Sequence, residues 1–160
     1  MCGGNGRWAK KQGIKRIFGH QNAIEAVRSV TEGSAELGVK HLTLYAFSTE
    51  NWDRPKAEVD ALMTLLVNTV KSELPTLEKN NIKLSTIGKI EDLPLDAQRN
   101  LTSAKESTSE NDGMELILAL NYSGRWDLLQ AVNHALENKV GQLDTESFSK
   151  LLSTSSISDP

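Results

Sequence analysis

An α/β fold, a parallel β-sheet flanked by helices on both faces, is what this 160-residue sequence predicts. Three observations carry the prediction. Short runs rich in β-branched and aromatic residues alternate with longer segments of helical apolar spacing, in the order strand, helix, strand, helix. Two of those runs end in polar clusters, as strands of open α/β sheets do at their carboxyl ends. Length and composition, 38% apolar and 24% charged, suit one domain with a real core, spanning residues 1–160.

The chain opens on Gly4-Asn5-Gly6-Arg7-Trp8, which reads as a turn running into a helix that starts near Arg7 and carries Lys10, Lys11, Lys15 and Arg16. Glycines on both sides of Asn5 free the backbone to take positive φ and bring its N–H groups close to a ligand. The helix N-terminus behind them offers unpaired donors and a positive dipole end to an anion, so a phosphate or diphosphate is suggested. The competing reading is an ordinary loop followed by a solvated basic helix. Gly13 and Gly19 punctuate the segment, His20 follows, and Ile24, Val27, Val30 and Leu37 predict a helix over 21–37 with Gly38 as its terminator.

Residues 41–47 predict a buried strand that ends in the polar stretch 48–54. Pro55 opens a long helix whose apolar face is Val59, Leu62, Met63, Leu66, Val67, Val70 and Leu74, with Pro75 expected to kink or interrupt it. A second strand is predicted over 82–87, ending at Gly88. Asp92 is expected to cap the next helix, with Pro94 near its first turn and its end near Ser107. A third, strongly apolar strand over 114–120 leads into Asn121-Tyr122-Ser123-Gly124-Arg125-Trp126-Asp127. A helix then continues through Leu128, Leu129, Val132 and Leu136, a short helix covers 145–152, and the tail 153–160 is too polar to pack well. Three strands are few for this much helix.

Charge and cysteine content exclude several classes. With 18 Lys and Arg against 21 Asp and Glu, the net charge of -3 argues against nucleic acid as a partner. Positive charge is concentrated early, at Arg7, Lys10, Lys11, Lys15, Arg16 and His20, which fits a small anionic ligand better than a polymer. The lone Cys2 cannot form an internal disulfide, and no apolar run approaches the ~18 residues that span a bilayer, so a cytoplasmic protein without a transmembrane segment is expected.

In a parallel sheet the clusters at 47–54 and 121–127 should converge on one edge, where 4–8 could join them. Together they would offer Arg7, Arg16, His20, Arg54 and Arg125 as cations and Ser48, Thr49 and Asn51 as neutral hydrogen-bonding groups. Guanidinium groups grip phosphate oxygens two at a time, so the set suits a diphosphate. The apolar face over 59–74 is either core or the wall of a hydrocarbon tunnel, and periodicity does not choose between them. A greasy diphosphate is the substrate this combination suggests. Against it, a histidine after a glycine, as His20 is, is more often a turn or cap residue than a ligand, and Trp8, Trp52 and Trp126 are each more often packing than stacking platforms. Glu50 and Asp53 are too few for a metal site, and His41 and His134 show no ligand spacing. No Gly-x-Ser-x-Gly motif and no P-loop is present.

Residues 4–9, His20, 45–55 and 121–127, in this order and spacing, resemble the cis-prenyltransferases, and among them the bacterial undecaprenyl diphosphate synthases or isoprenyl transferases. The resemblance covers nearly the whole chain. It implies condensation of isopentenyl diphosphate onto an allylic diphosphate such as farnesyl diphosphate, with cis double bonds, to make the lipid carrier of cell-wall synthesis. It places Gly4, Asn5, Gly6 and Arg7 on the allylic diphosphate with Trp8, Arg16 and His20 around it. Ser48, Thr49, Glu50, Trp52 and Arg54 would line the substrate site, with Asn51 at the family's proton-acceptor position.

The family resemblance also implies Mg²⁺ and, for the full-length family, a homodimer whose interface is expected from the later segment, and the expected location is cytoplasmic or peripheral to the inner membrane surface. Two departures stand out. The family's Mg²⁺-binding aspartate falls on Gly3, and its later arginine-rich segment with a second metal-binding glutamate would begin beyond Pro160, so this chain supplies neither metal carboxylate. The family's first strand would precede Met1. The expectation is a fragment of a prenyltransferase, truncated at both ends and impaired, with two alternatives: a non-catalytic binding subunit of a prenyltransferase complex, or an unrelated phosphate-binding α/β domain.

Overall fold

A computed structural model describes residues 16–158, with side chains from Ile24 onward. Helix α1 (Arg16–Glu36) runs without a break through Gly19 and His20, so the division expected at that glycine does not occur. One glycine in a helix interior costs only about 1 kcal/mol, which the packing of a helix face readily exceeds. Ala35 packs on the core and Thr31 is buried within the same helix. Gly38 then ends the helix at φ 74°, its N–H donating to Ala35 O at 3.1 Å, as expected of a left-handed terminator.

Strand β1 (His41–Ser48) is followed by a 3₁₀ turn (Thr49–Asp53) and then by α2 (Lys56–Lys79). The predicted apolar face of α2 is the observed one: Val59, Met63, Val67 and Val70 are buried, and Leu62, Leu66 and Leu74 pack partly buried beside them. Pro75 does not interrupt α2. An interior proline costs on the order of 3 kcal/mol, but Leu77 beyond it is buried, and full burial of a leucine returns roughly 1.5–3 kcal/mol.

Strand β2 (Lys83–Ile87) leads through a 3₁₀ turn (Ile90–Asp92) to α3 (Leu95–Ser107). Asp92 is not the cap that its position suggested. It ends the short turn and pairs with Lys89 at 2.8 Å, while Pro94 occupies the N-cap position without a side-chain hydrogen bond. The turn is held instead from α3, where the Gln98 amide donates to Leu93 O at 2.7 Å and Glu91 O at 2.9 Å. At the far end of α3, buried Thr108 accepts from Leu84 N at 3.0 Å and donates to Ala104 O at 2.9 Å, tying helix to strand.

Strand β3 (Glu115–Tyr122) lies in the middle of a three-stranded parallel sheet of order β1-β3-β2. A central parallel strand is covered on both faces and therefore reads as a continuous apolar run. Leu116, Leu118 and Leu120 pack with α2 and α3, while Ile117 and Ala119 join Ile87 on the other face. That second face also takes Ile157, and Ser153 N donates to Asp127 Oδ1 at 2.9 Å. The tail therefore packs, contrary to the expectation from its polarity, because one isoleucine and its own backbone N–H make the contacts.

Helix α4 (Gly124–Glu137) buries Asp127, Ala131 and Ala135 and leaves Leu128, Leu129, Val132 and Leu136 exposed. Helix α5 (Thr145–Ser149), shorter than predicted, is capped reciprocally by Asp144 and Ser147.

Candidate functional site

Parallel pairing carries the ends of β1 and β3 to one edge, and the two polar clusters predicted to meet there do meet. Register between these strands slips between Tyr45 and Phe47 and is restored between Phe47 and Ser48. The two slips leave Ala46 on β1 and Asn121 on β3 as the extra residues, a bulge on each side of the pairing. Asn121 adopts φ 49°, a left-handed conformation that asparagine tolerates better than most residues.

The bulge turns the buried Asn121 side chain across the edge. Its Oδ1 accepts the indole N–H of Trp52 at 2.7 Å and its Nδ2 donates to Lys89 O at 2.9 Å. Three segments distant in sequence are thus pinned by one amide. Trp52 also stands edge-on to Phe47, with ring centroids 5.1 Å apart, and remains 38% exposed. Tyr45, Tyr122 and Trp126 continue the aromatic row through edge contacts of 5.5 Å and 6.0 Å.

The turn Thr49–Asp53 is closed by a capping box. Ser48 Oγ accepts from Glu50 N at 3.3 Å, and Asn51 Oδ1 accepts from Ser48 N at 3.0 Å. Arg54 follows directly and pairs with Glu58 at 2.5 Å one helical turn along. On the β3 side, Asp127 is buried but fully engaged: it accepts from Tyr122 Oη at 3.0 Å, Gln130 Nε2 at 2.9 Å and Ser153 N at 2.9 Å. Burial first, then the hydrogen bond and charge of Asp127, push the Tyr122 phenol up to about 12. Burial with the charges of Asp127 and Glu50 raises Tyr45 as well.

Beside this edge lies an apolar cavity of about 180 Å³ between α1, α2 and one face of the sheet. Ile24 and Val27 of α1, Leu62, Met63, Leu66 and Val70 of α2, and Leu44, Phe47, Leu118 and Leu120 of the sheet line it. A volume of roughly 150 Å³ with such a lining is enough to hold benzene in a dry interior. The stripe over 59–74 is thus both core and wall, the alternative that periodicity left open.

Among the sequence-derived site residues, Ser48, Thr49, Glu50, Asn51, Trp52 and Arg54 lie together on the turn beside Asn121. Arg125 is exposed on the first turn of α4. Arg16 and His20 lie on the first turns of α1, outside the residues whose side chains are described. Gly4, Asn5, Gly6, Arg7 and Trp8, and with them Gly3, fall outside the described residues altogether. Among the described residues no group of three His, Cys, Asp or Glu side chains is placed to hold a metal ion. No helix of the described residues is long and apolar enough to cross a membrane.

Two features were not legible beforehand. One is Asn121 as the hinge of the edge, although an asparagine at the mouth of a predicted strand was its visible signal. The other is an ion pair between Arg28 and Glu73 in the cavity wall, for which spacing gives no sign across helices.

A parallel α/β sheet thus carries a polar, aromatic carboxyl edge, with an apolar cavity on one face of the sheet reaching up to Phe47 and Leu120. The family follows from comparison: over residues 1–160 the chain matches the family described as "Putative undecaprenyl diphosphate synthase", and it belongs to that family. It is 47% identical to an isoprenyl transferase of Chlorobaculum tepidum, over 98% of this chain and 62% of that protein. It is 44% identical to a ditrans,polycis-undecaprenyl-diphosphate synthase ((2E,6E)-farnesyl-diphosphate specific) of Micrococcus luteus, over 98% of this chain and 66% of that one.

Among solved structures, lavandulyl diphosphate synthase from Lavandula x intermedia, in complex with dimethylallyl diphosphate, superposes with a TM-score of 0.88 at 30% identity, covering 97% of this chain and 69% of that one. A probable undecaprenyl diphosphate synthase from Campylobacter jejuni gives 0.75 at 32% identity, covering 81% and 63%. The chain spans under two thirds of the length of the isoprenyl transferase from Chlorobaculum tepidum.

Proposed function

We propose that this chain carries the substrate site of an isoprenyl transferase. The reaction joins isopentenyl diphosphate to an allylic diphosphate such as farnesyl diphosphate, with cis double bonds, towards the polyprenyl diphosphate carrier of cell-wall synthesis. One observation supports it above the rest: the polar turn 48–54 follows directly on Phe47, which lines the apolar cavity. In each cycle the allylic carbon–oxygen bond breaks, diphosphate leaves, the isopentenyl double bond forms the new carbon–carbon bond, and a proton is lost. Arg54, with Arg7, Arg16 and His20 from the preceding segment, would meet the negative charge that grows on the departing diphosphate. Ser48, Thr49, Glu50 and Trp52 would bound the site, and Gly4, Asn5 and Gly6 would bring backbone donors to the allylic diphosphate.

Asn51 stands at the family's proton-acceptor position. An amide is a weak base, and its Oδ1 already accepts Ser48 N–H, which favours a part in holding the turn over removal of the proton. The apolar lining would keep water from the carbocation-like centre. Mg²⁺ would assist diphosphate departure in the family's chemistry. Among the described residues no three His, Cys, Asp or Glu side chains cluster to hold it.

The same reading takes this copy to be impaired at Gly3. It also includes a homodimer, which the exposed stripe Leu128, Leu129, Val132 and Leu136 of α4 supports and sedimentation would check. The functional test pairs binding with turnover. Farnesyl diphosphate should quench the tryptophan fluorescence of the chain, while transfer of labelled isopentenyl diphosphate into lipid should be weak and rise in Gly3→Asp. A folded chain that binds no allylic diphosphate would refute the proposal. Glycine at that position favours one second reading, a non-catalytic subunit: Gly3→Asp would then stay inert while the chain stimulates a catalytic relative.

A further inference from the structure

The two outer strands of the sheet are finished differently. On β2, Lys83 N donates to Met114 O at 2.9 Å, and because bonded residues alternate along a parallel strand, Leu84 faces outward. That outer side is occupied. Thr108 Oγ1 accepts from Leu84 N at 3.0 Å, and Asn111 Nδ2 donates to Ile82 O at 2.8 Å. The strand is also only five residues long and starts on an exposed lysine, two devices that blunt an edge.

On β1 these devices are missing. Glu115 N donates to Lys40 O at 2.8 Å, so Leu42 and Leu44 face β3 while His41, Thr43 and Tyr45 turn their N–H and C=O groups outward. Among the described residues nothing bonds to those outward groups. The strand runs for eight residues without a lysine, arginine, acid or proline. Thr43 and Tyr45 are exposed and Leu42 and Leu44 only half-buried, whereas β3 is buried along most of its length. An edge of this length and character is a template for another strand.

The three outward residues are centred on Thr43. A second β1 laid antiparallel across a two-fold axis there sets Thr43 opposite its own copy, and His41 opposite Tyr45 of the other copy at both ends. These are the hydrogen-bonded positions of an antiparallel ladder, so the N–H and C=O of all three residues find partners. Between them Leu42 falls opposite Leu44 of the other copy, and no like charges meet. Both leucines pack against the main core, so the seam would join the two cores.

We propose that β1 is a self-association edge, pairing antiparallel with β1 of a second copy of this chain so that one sheet runs through both. The interface is separate from the exposed stripe of α4 and does not depend on the function proposed above. Sedimentation and hydrogen exchange of the 160-residue chain test it. As concentration rises the chain should become dimeric, and the amides of His41, Thr43 and Tyr45 should exchange about tenfold more slowly or better. The amides of Leu42 and Leu44, which face β3, should change far less. Thr43→Lys sets like charges against each other at the axis and should weaken association roughly tenfold, with added salt restoring part of the loss. Thr43→Val should associate within about threefold of wild type.

A wild type that stays monomeric at high concentration refutes the edge, as does a dimer that Thr43→Lys leaves intact. Protection of the three amides that is equal at every concentration also refutes it, because the chain's own residues then cover β1. Circular dichroism shows whether Thr43→Lys is folded. If it is not, the wild-type exchange pattern decides: slowing at His41, Thr43 and Tyr45 that follows the dimer supports the pairing, and slowing confined to α4 overturns it.

Discussion

Replacing Asn121 by alanine should loosen the whole carboxyl edge. Its side chain makes two hydrogen bonds, to Trp52 Nε1 at 2.7 Å and Lys89 O at 2.9 Å, and both are lost. Trp52 is partly exposed, so its N–H can turn to water at a cost of about 0.5–1.5 kcal/mol. The part-buried bond to the Lys89 carbonyl is lost as well, and leaving that oxygen without the Asn121 donor costs roughly 1–2 kcal/mol. At φ 49° an alanine adds about 1 kcal/mol of left-handed strain. The sum is about 3 kcal/mol, a large part of the ~5–15 kcal/mol that stabilises a typical domain. With a urea slope of about 2 kcal/mol/M, the unfolding midpoint should fall by about 1.5 M. Asn121→Gly loses the same hydrogen bonds but fits the backbone, so it should recover about 1 kcal/mol of the loss. Trp52 emission should shift to the red in both variants. An alanine variant within about 1 kcal/mol of wild type, or a glycine variant no more stable than alanine, would refute the reasoning.

Further tests bear on neighbouring parts of the fold. Gly88 has φ 108°, and a Cβ there would lie 2.0 Å from Leu120 O, so Gly88→Ala should cost more than about 3 kcal/mol, read as lost soluble yield or a collapsed urea midpoint. Thr108→Val strands the buried Leu84 N–H and should cost about 2 kcal/mol, whereas Thr108→Ser, which keeps the oxygen, should lie closer to wild type in the same assay. Absorbance titration should find both tyrosines ionising later than free tyrosine, with Tyr122 at about 12. Because folding favours its neutral form, the stability Tyr122 contributes is intact below the ordinary tyrosine pKa of about 10 and is lost as pH rises from there through about 12. Asp127→Asn should bring the Tyr122 transition down, and an unchanged titration would count against the Tyr122–Asp127 bond.

The elements readable in the sequence are those whose periodicity reports burial directly. The stripe from Val59 to Leu74 and the apolar run of β3 fall into this group, because one face of α2 and both faces of β3 are covered. Convergence of the 47–54 and 121–127 clusters was also legible, since parallel strands share a carboxyl edge. What escaped depends on contacts between distant residues. Pro75 reads as a breaker until Leu77 is seen buried beyond it, and Asp92 reads as a cap until Lys89 is seen to hold it. Ile157 looks like a stray apolar residue in a serine-rich tail, and only the second face of the sheet gives it a partner. Leu128, Leu129, Val132 and Leu136 have the spacing of a buried face and are exposed, while two small alanines make the contact. Within the site, the turn Thr49–Asp53 was placed correctly, but the amide that pins it lies 69 residues away.

The middle strand of the sheet is the last of the three to be synthesised. Strands β1 and β2 do not touch each other, and each finds its described partner only in β3. At about 5–20 residues per second, several seconds separate completion of Ser48 from the arrival of Tyr122. During that interval first β1 alone and then β2 as well carry unpaired backbone edges, the condition under which nascent chains associate wrongly. Parallel pairing at such sequence separation is slow to form. The carboxyl edge thus has no existence as a folding intermediate: it arises in the same event that closes the sheet, and any delay in β3 leaves a chain prone to aggregate.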